Sequence, residues 1–531
     1  MSSDLVVHTG QSHPWASLSR HAVAAFFRNP MAAFFTVAFP LLFLIIVAAI
    51  AGRPAAQFLV TPFAVFGIAQ ASFIVLAIDT VVLRESGVLL RLRGTPVTAA
   101  AVVASRIAAS LVAALLSLVL VTGVGVGVYG VDVVWRKVPA LLVTVIAGVA
   151  CLCALGLALS SLARTVTATQ SLAQGVLIPL AFISDVFIVG VRLPEVLDVI
   201  GSLLPLKHFA RAAAETFDPG PGYGFSPGHL TVLAVWTIIG VALTAWRFGW
   251  APRGSAAVSS PQPEIIGYAR QHLAAPSGPG RPATSALLAG QIRHALRRVL
   301  RDPLPVFFTV GLPVLMLILF PTVFGDTTVH GLTMAQYQLP GLITYTMAVA
   351  GFVNLPEDLV GAQAAGVVKR LRGTPLPYPV FLGSRIAAAM LTGLAGVVLL
   401  AVTAVVAQDV ELDAARIPAL VLAVVLGGLC FAVLGLAVVA VRPGSRSLVA
   451  ITLGVLLPLC FVSEVFVAGP AALPGWLSAI GEVFPLRHVM QAMLAATRPD
   501  VTGSGLSWGH LGVVLLWTAV AAVVVRLRRS T

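Results

Sequence analysis

The chain has 531 residues, of which 58% are hydrophobic and only 10% are charged, and its mean hydropathy is +0.99. A soluble globular protein carries about 25% charged residues, so the composition excludes that class and indicates a polytopic membrane protein. The net charge of +13 does not indicate a nucleic-acid-binding protein, because the basic residues are scattered between apolar runs. Thirty of the 33 basic residues are arginine, a bias that suggests a GC-rich, bacterial genome.

In chain order, residues 13–28 place apolar side chains at helical spacing and predict an interfacial helix along the membrane surface. Six apolar runs of spanning length follow. The predicted spans cover residues 31–50, 63–83, 99–121, 139–162, 168–187 and 230–248. Residues 188–227 are broken by prolines and charges, so we expect short helices at the outer interface there.

A stretch rich in Pro, Gly, Ser and Ala then predicts a flexible linker. An amphipathic segment at 285–302 and six further apolar runs repeat the plan of the first half. These runs predict spans at 303–324, 339–361, 380–407, 417–441, 448–468 and 511–525. We therefore predict a first transmembrane half at 1–250, a cytoplasmic linker at 251–284 and a second half at 285–531.

Repeated motifs indicate an internal duplication. Residues 91–96, Arg-Leu-Arg-Gly-Thr-Pro, return 279 positions later as residues 370–375. Ser105-Arg106-Ile107 returns at the same offset as Ser384-Arg385-Ile386. The predicted fold class is an all-α membrane protein with about twelve transmembrane helices. An even number of spans per half gives the two pseudo-symmetric halves the same orientation in the membrane.

Arginine placement predicts the orientation. The N-terminus, both copies of the repeated hexad, the linker and the C-terminal tail are basic, whereas residues 409–413 form an acidic loop on the other side. We therefore expect both termini in the cytoplasm of a cell (plasma) membrane protein.

The repeated hexad is the main candidate site. A positive-inside stop signal accounts for its arginines but not for the retention of all six residues in both halves. Two identical surface segments are better suited to docking two copies of one soluble partner.

On these residues the chain resembles a tandem-fused permease of the ABC-2 type, similar to the daunorubicin-resistance permeases. The resemblance includes the basic segment after the second span of each half and the broken loops that follow Pro179 and Pro458. It implies that each basic segment is a coupling helix for an ATP-binding subunit. The implied coupling residues are Arg84, Glu85, Arg91, Arg93, Gly94, Thr95 and Pro96, and Lys369, Arg370, Arg372, Gly373, Thr374 and Pro375. In the second copy Gln363-Ala364 replaces Arg84-Glu85, so the two surfaces need not be equivalent.

The resemblance also implies the mechanism. ATP binding closes two separate ATPase subunits, and the docked segments move the spans until a path opens outward. The substrate would be a hydrophobic drug, antibiotic or lipid-like molecule. No Gly-x-x-x-x-Gly-Lys-Ser/Thr motif occurs, so we expect no cofactor in this chain, with ATP and Mg bound by the partner.

Acidic residues inside or beside spans need partners or a function. Asp79 and Asp358 occupy matched positions, and we expect them to pair with nearby arginines such as Arg84. Asp185 and Glu464, near the outer ends of spans five and eleven, would either be solvated or attract a cationic, amphipathic substrate. The predicted substrate path comprises Asp185, Glu464, Pro179, Pro458, Phe187 and Phe466.

Other polar residues give weaker signals. His208 and His488 lack partners at ligand spacing, so we expect hydrogen bonds rather than a metal site. The four cysteines, all inside apolar runs, are expected to pack as small apolar residues.

Two other functions remain open. A gradient-driven transporter of the major-facilitator type also has six plus six spans, but we find no compact Asp-Arg-x-Gly-Arg loop. A membrane-embedded transferase acting on a lipid-linked substrate needs acidic loop clusters in matched positions, and residues 409–413 have no counterpart in the first half.

Overall fold

The computed structural model describes residues 14–95, 97–188, 193–249, 284–325, 328–371, 373–374, 376–441, 445–466, 473–498 and 503–529. The predicted linker, except for its last residue, lies outside these ranges. The helices are numbered in chain order, and each of the first ten matches the helix numbered ten higher in the second half.

The first half contains α1 to α10. Their bounds are α1 Pro14–Phe27, α2 Pro30–Ala51, α3 Arg53–Glu85, α4 Val88–Arg93, α5 Ala99–Tyr129, α6 Val138–Leu162, α7 Val166–Ile183, α8 Glu195–Leu203, α9 Pro205–Phe217 and α10 Pro227–Arg247. A 3₁₀ turn, Trp135–Lys137, precedes α6.

The second half contains α11 to α20. Their bounds are α11 Thr284–Arg301, α12 Pro303–Phe324, α13 Met334–Ala364, α14 Val367–Leu371, α15 Tyr378–Gln408, α16 Ile417–Ala440, α17 Ser445–Val462, α18 Gly475–Val483, α19 Pro485–Thr497 and α20 Trp508–Arg529. A 3₁₀ turn, Ala414–Arg416, precedes α16.

The prediction of an all-α membrane protein is confirmed. Eleven of the described helices are long and apolar enough to cross a membrane, and a shorter apolar stretch, Leu448–Val462, lies within α17. Each half therefore contains six spanning helices, an amphipathic helix, a short basic helix and two short helices. One feature was not predicted: strands β1 (Thr328–Val329) and β2 (Leu332–Thr333) pair antiparallel between α12 and α13.

Two predicted boundaries in the first half were wrong. Helix α3 begins ten residues before the predicted start at Phe63, because Gln57 finds partners there: its side-chain nitrogen donates to the carbonyl oxygens of Phe217 and Asp132. Helix α5 continues beyond its predicted end at residue 121, through the glycine-rich residues that follow. It ends at Gly130, whose φ of 73° is the left-handed conformation that closes a helix at low steric cost.

The second span of each half forms the centre of that half. Helix α3 contacts α5, α6, α7 and α9 and is almost entirely buried, as is α13, whereas α10 and α20 are largely exposed. Glycines allow the close packing. A Cβ on Gly156 would lie 2.8 Å from the Phe73 carbonyl oxygen, and one on Gly435 would lie 2.5 Å from that of Gly351.

Matched π-helical turns interrupt the first span of each half at Phe34–Ala38 and Phe307–Gly311. Pro40 and Pro313 are each the second residue after the turn. Proline has no N–H to donate and its ring collides with the carbonyl one turn earlier, so a wider turn accommodates it without breaking the helix.

Candidate functional site

The two copies of the basic segment have the same backbone. Gly87 and Gly366 have φ of 70° and 69° and turn the chain out of α3 and α13 into the short helices α4 and α14. Each short helix is closed by a threonine: Thr95 Oγ1 donates to the Leu92 carbonyl at 2.6 Å, and Thr374 Oγ1 to that of Leu371 at 2.7 Å. The motif Gly-Thr thus ends the helix locally in both halves.

The predicted contact residues on these segments are exposed. The exposed set comprises Arg91, Arg93, Gly94 and Thr95, and Lys369, Arg370, Gly373 and Thr374. Leu89, by contrast, is buried and anchors α4 to its half. Pro96, Arg372 and Pro375 lie outside the described residues. Each half therefore presents a short, basic, fixed helix at the end that we call the basic end.

Arg84, a predicted coupling residue, does not lie on an exposed contact surface. Its side chain is buried, and its two terminal nitrogens donate to the carbonyl oxygens of Ser160 and Ala163 at 2.7 and 2.6 Å. These carbonyls lie at the C-terminal end of α6, where a cation is favourable. Arg84 thus fixes α3 to α6, and its neighbour Glu85 is half-buried. Gln363, at the matched position, is exposed.

The acids of the central helices pair with arginines other than the one we named. Asp79 lies 3.9 Å from Arg106, and Arg84 is bound to α6, so that part of the prediction was wrong. Asp358 pairs with Arg385 at 2.6 Å and with Arg298 at 3.3 Å. Arg106 and Arg385 follow the basic segment of their own half in the sequence, and Arg298 lies on the amphipathic helix α11. Proximity in sequence did not indicate these partners.

The opposite end of each half, called here the histidine end, carries Asp185 and Glu464. Both lie just beyond the end of a helix and both have positive φ, 58° and 61°, which costs about 1–2 kcal/mol in a residue with a side chain. Each acid is ion-paired: Arg211 Nε donates to Asp185 at 2.8 Å, and Arg487 lies 3.6 Å from Glu464. The two acids are therefore fixed to the short helices α9 and α19 and are not simply solvated.

The aromatic residues of the predicted path pack on the central helix of their own half. The ring of Phe187 lies 4.9 Å from that of Phe66, and the ring of Phe466 lies 5.0 Å from that of Tyr345. Phe66 and Tyr345 are themselves matched positions. Pro179 and Pro458 are half-buried inside α7 and α17. The structure thus brings acid, aromatic ring and proline of each half to the same helix end.

Histidine pairs are a feature that the sequence analysis missed. His208 Nδ1 lies 2.8 Å from His229 Nδ1, and His488 Nδ1 lies 2.9 Å from His510 Nδ1. The Nε2 atoms of His208 and His488 contact the carbonyl oxygens of Ser202 and Glu482, each at 2.8 Å. A carbonyl only accepts, so Nε2 carries the proton and Nδ1 of a neutral His208 or His488 accepts from its partner. The expected hydrogen bonds of His208 and His488 are confirmed.

Cations also hold the ends of α9 and α19. Lys137 Nζ donates to the carbonyls of Glu215 and Asp218, and Arg416 Nη1 donates to that of Arg498. Lys137 and Arg416 are matched residues, each buried at the start of the fourth span of its half. Their repetition at the common offset was the available sequence signal.

The four cysteines are buried and unbonded to one another, as expected of small packing residues. Within the described part of the chain, no group of three or more His, Cys, Asp or Glu residues is placed to hold a metal ion.

Two repeats of six apolar helices, each with an exposed basic helix after its second helix of spanning length, define a duplicated multi-pass membrane protein. The family model for the ABC-2 type transporter matches residues 15–217 and again residues 286–497. The chain therefore belongs to the ABC-2 type transporter family, with two copies of its domain in tandem.

The similarity to a single permease also indicates a tandem duplication. Daunorubicin resistance ABC transporter permease protein DrrB1 of Streptomyces coeruleorubidus is 28% identical to this chain over 270 residues, which cover 47% of this chain and 89% of that protein. One whole permease is thus similar to about half of this chain, as a tandem fusion requires.

Proposed function

We propose that this chain is the membrane-spanning subunit of an ATP-driven exporter and that it binds two copies of a separate ATP-binding subunit, one on each basic helix. The observation that carries the proposal is the matched geometry of α4 and α14: both are exposed, basic and closed in the same way. Membership of the ABC-2 family supports an ATP-binding partner, because permeases of this type work with ATP-binding subunits.

The proposed substrate is a hydrophobic drug, antibiotic or lipid-like molecule, moved out of the cell. The support is the similarity to DrrB1, a daunorubicin resistance permease. Asp185 with Phe187, and Glu464 with Phe466, remain the proposed contacts on the path, together with Pro179 and Pro458. Because both acids are already paired with arginine, a cationic substrate would have to compete with Arg211 or Arg487 for them.

We also propose the arrangement in the cell. Halves 1–250 and 285–531, joined by the linker 251–284, lie in the plasma membrane of a bacterium with the basic ends and both termini in the cytoplasm. The positive-inside rule supports this orientation, since the exposed arginines of α4, α11 and α14 belong to the same ends of the two halves. ATP and Mg would be bound by the partner.

The test is affinity purification of the tagged chain from its native membrane in mild detergent, with co-purifying subunits identified and counted. We expect a P-loop ATPase at about two copies per chain, with vanadate-sensitive hydrolysis. Recovery of no such subunit, in a preparation that still moves drugs when a proton gradient is applied, would favour the major-facilitator type of mechanism.

A charge-reversal pair tests the docking residues. Arg91→Glu with Arg370→Glu should abolish recovery of the ATPase while the permease still elutes as a folded particle. The control is Arg526→Glu, which reverses an exposed arginine of the C-terminal helix outside the coupling segments. Normal ATPase recovery with the double variant would contradict docking on α4 and α14.

A further inference from the structure

Two repeated motifs have no role in the function proposed so far. Asp79 and Asp358 recur at the common offset, and so do Arg106 and Arg385 of the repeated Ser-Arg-Ile. The structure brings each acid to the arginine of its own half, at 3.9 Å in the first and 2.6 Å in the second. Two motifs separated by a loop in the sequence are therefore one structural unit, present twice.

The pairs have the same position relative to the coupling segments. Each acid lies six residues before the end of the helix that leads into a segment, Glu85 or Ala364. Each arginine lies seven residues after the start of the helix that leaves it, Ala99 or Tyr378. At 1.5 Å per residue, both lie about 10 Å from the segment along their helices. Each pair thus links the entering and leaving helices on the membrane side of the segment.

The second half adds a third member. Arg298 of α11 approaches the other oxygen of Asp358 at 3.3 Å, so this carboxylate joins three helices: α11, α13 and α15. The corresponding position of α1, three residues before the Arg28 that matches Arg301, is Ala25. Both pairs are shielded: the side-chain exposures are 27% for Asp79 and 16% for Arg106, and 19% for Asp358 and 4% for Arg385.

Neutralising a membrane acid does not by itself account for this arrangement. An apolar pair of similar volume would avoid the cost of desolvating two charges and would often be at least as stable. A charged pair instead gives a contact with a defined geometry between two helices. Its presence at the same place in both halves, across the segment on which the ATPase is proposed to dock, points to a requirement for rigidity there.

We propose that Asp79 with Arg106, and Asp358 with Arg385 and Arg298, are positioning residues for the coupling segments. Each pair makes the entering helix, the segment and the leaving helix move as one body, so that displacement of the segment by the ATPase is passed to the spans. The inference rests on the proposed function. It goes beyond docking, because it concerns residues that do not touch the partner.

The experiment uses the complex of the full chain and its ATPase purified from native membranes. Variants are Asp79→Asn, Asp358→Asn and Arg298→Gln, with Arg297→Gln as the matched control, since Arg297 is an exposed arginine on the same helix. Three quantities are measured for each: ATPase copies per chain, ATP hydrolysis rate per bound ATPase copy, and unfolding temperature of the complex.

We expect normal ATPase recovery with a slower rate per bound copy. Substitutions along coupling networks of this kind change the coupling by about 2- to 30-fold, and Asp358→Asn should lie toward the upper end because it breaks two contacts. Asp79→Asn and Arg298→Gln should each slow hydrolysis less, and Arg297→Gln not at all.

The swapped variant Asp79→Arg with Arg106→Asp separates positioning from mere folding. It should restore the rate that Asp79→Arg alone reduces, because Arg106 is the ion-pair partner of Asp79 found among the described residues of the first half, whereas Asp358 also has Arg298. Native rates per bound ATPase in both asparagine variants would overturn the inference, as would loss of ATPase recovery in proportion to the rate. If the native chain recovers no ATPase, the proposed function itself fails, which is a different result from any of these.

Discussion

The basic ends of the two halves have the same surface but different supports. In the first half, buried Arg84 fixes the end of α3 to the last carbonyls of α6, and the Asp79–Arg106 pair adds a longer contact at 3.9 Å. In the second half Gln363 replaces that arginine, and Asp358 instead pairs with two arginines at short distances. Each half therefore has one strong set of charged contacts next to its short basic helix, α4 or α14.

The difference indicates what the duplication has conserved. The backbone of α4 and α14, their glycine entries and their threonine closures are the same to within small differences in angle and distance. The residues that fix these helices are not the same. A docking surface constrains the exposed residues directly, whereas several buried arrangements hold a short helix equally well.

The largest effect is expected when the strong support of the first half is removed. Arg84→Ala leaves the Ser160 and Ala163 carbonyls without their charged donor, which should cost about 2–4 kcal/mol of stability. Gln363→Ala at the matched, exposed position should cost nothing measurable. Thermal unfolding of the purified chain in detergent compares the two. Equal shifts in unfolding temperature would mean that the halves are not supported differently.

A second pair of variants tests what the halves share. Gly156→Ala and Gly435→Ala each place a methyl group within 3 Å of a carbonyl oxygen on the central helix. Forcing such close-packed helices apart should lower the free energy of unfolding by about 1–3 kcal/mol, and the loss should be similar in both halves. The same unfolding measurement applies. A cost confined to one half would show that the packing of α6 on α3 differs from that of α16 on α13.

The sequence alone was sufficient for the parts of the fold that depend on apolar length and on repetition. Twelve apolar helices in two matched sets, the short helices after spans five and eleven, and both amphipathic helices were predicted from these signals. The start of α3 was not predicted, because a polar Gln57 between Pro54 and Pro62 resembles a loop until its partners Asp132 and Phe217 are known.

The sequence predicted the candidate site only where its geometry depends on residues that are neighbours in the chain. The exposure of Arg91, Arg93 and Arg370 follows from a short basic helix at a membrane surface. The burial of Arg84 and the choice of Arg106 as the partner of Asp79 depend on how distant helices pack, and charge and proximity in sequence suggested otherwise. The histidine pairs were missed for the same reason, since His208 and His229 belong to different helices.

A smaller effect tests the histidine ends, where the halves agree. His208→Ala and His488→Ala each remove one hydrogen bond to the partner imidazole and one to a carbonyl. Each should lower stability by about 1–2 kcal/mol, and the two variants should be equal. Replacing the partners, His229→Ala or His510→Ala, should cost less because the carbonyl bond remains. Unequal effects of His208→Ala and His488→Ala on the unfolding temperature would argue against matched roles.

The smallest effect distinguishes the histidine ends from each other. Lys207 is buried and its ammonium group binds Asp198, whereas Arg487, at the matched position, binds Ser478. The hydrogen bond from Lys207 lowers the pKa of Asp198 below its ordinary value of 3.8. A lowered pKa means that the folded state binds the proton less tightly than the unfolded state. The contact therefore stabilises the fold above pH 3.8 and loses its effect as the pH falls through the lower, folded-state pKa.

Asp198→Ser gives the first half the polar partner found in the second and should remove this dependence on pH. Unfolding temperatures of the native chain and the variant, measured from pH 7 down through the acidic range, should differ most at neutral pH and draw together as the pH falls below 3.8. Because Asp198 is about half exposed, the difference at pH 7 should be slight. A gap between the two proteins that is as wide at acidic pH as at neutral pH would mean that the carboxylate charge does not contribute, and that Lys207 is held by the Asp198 carbonyl alone.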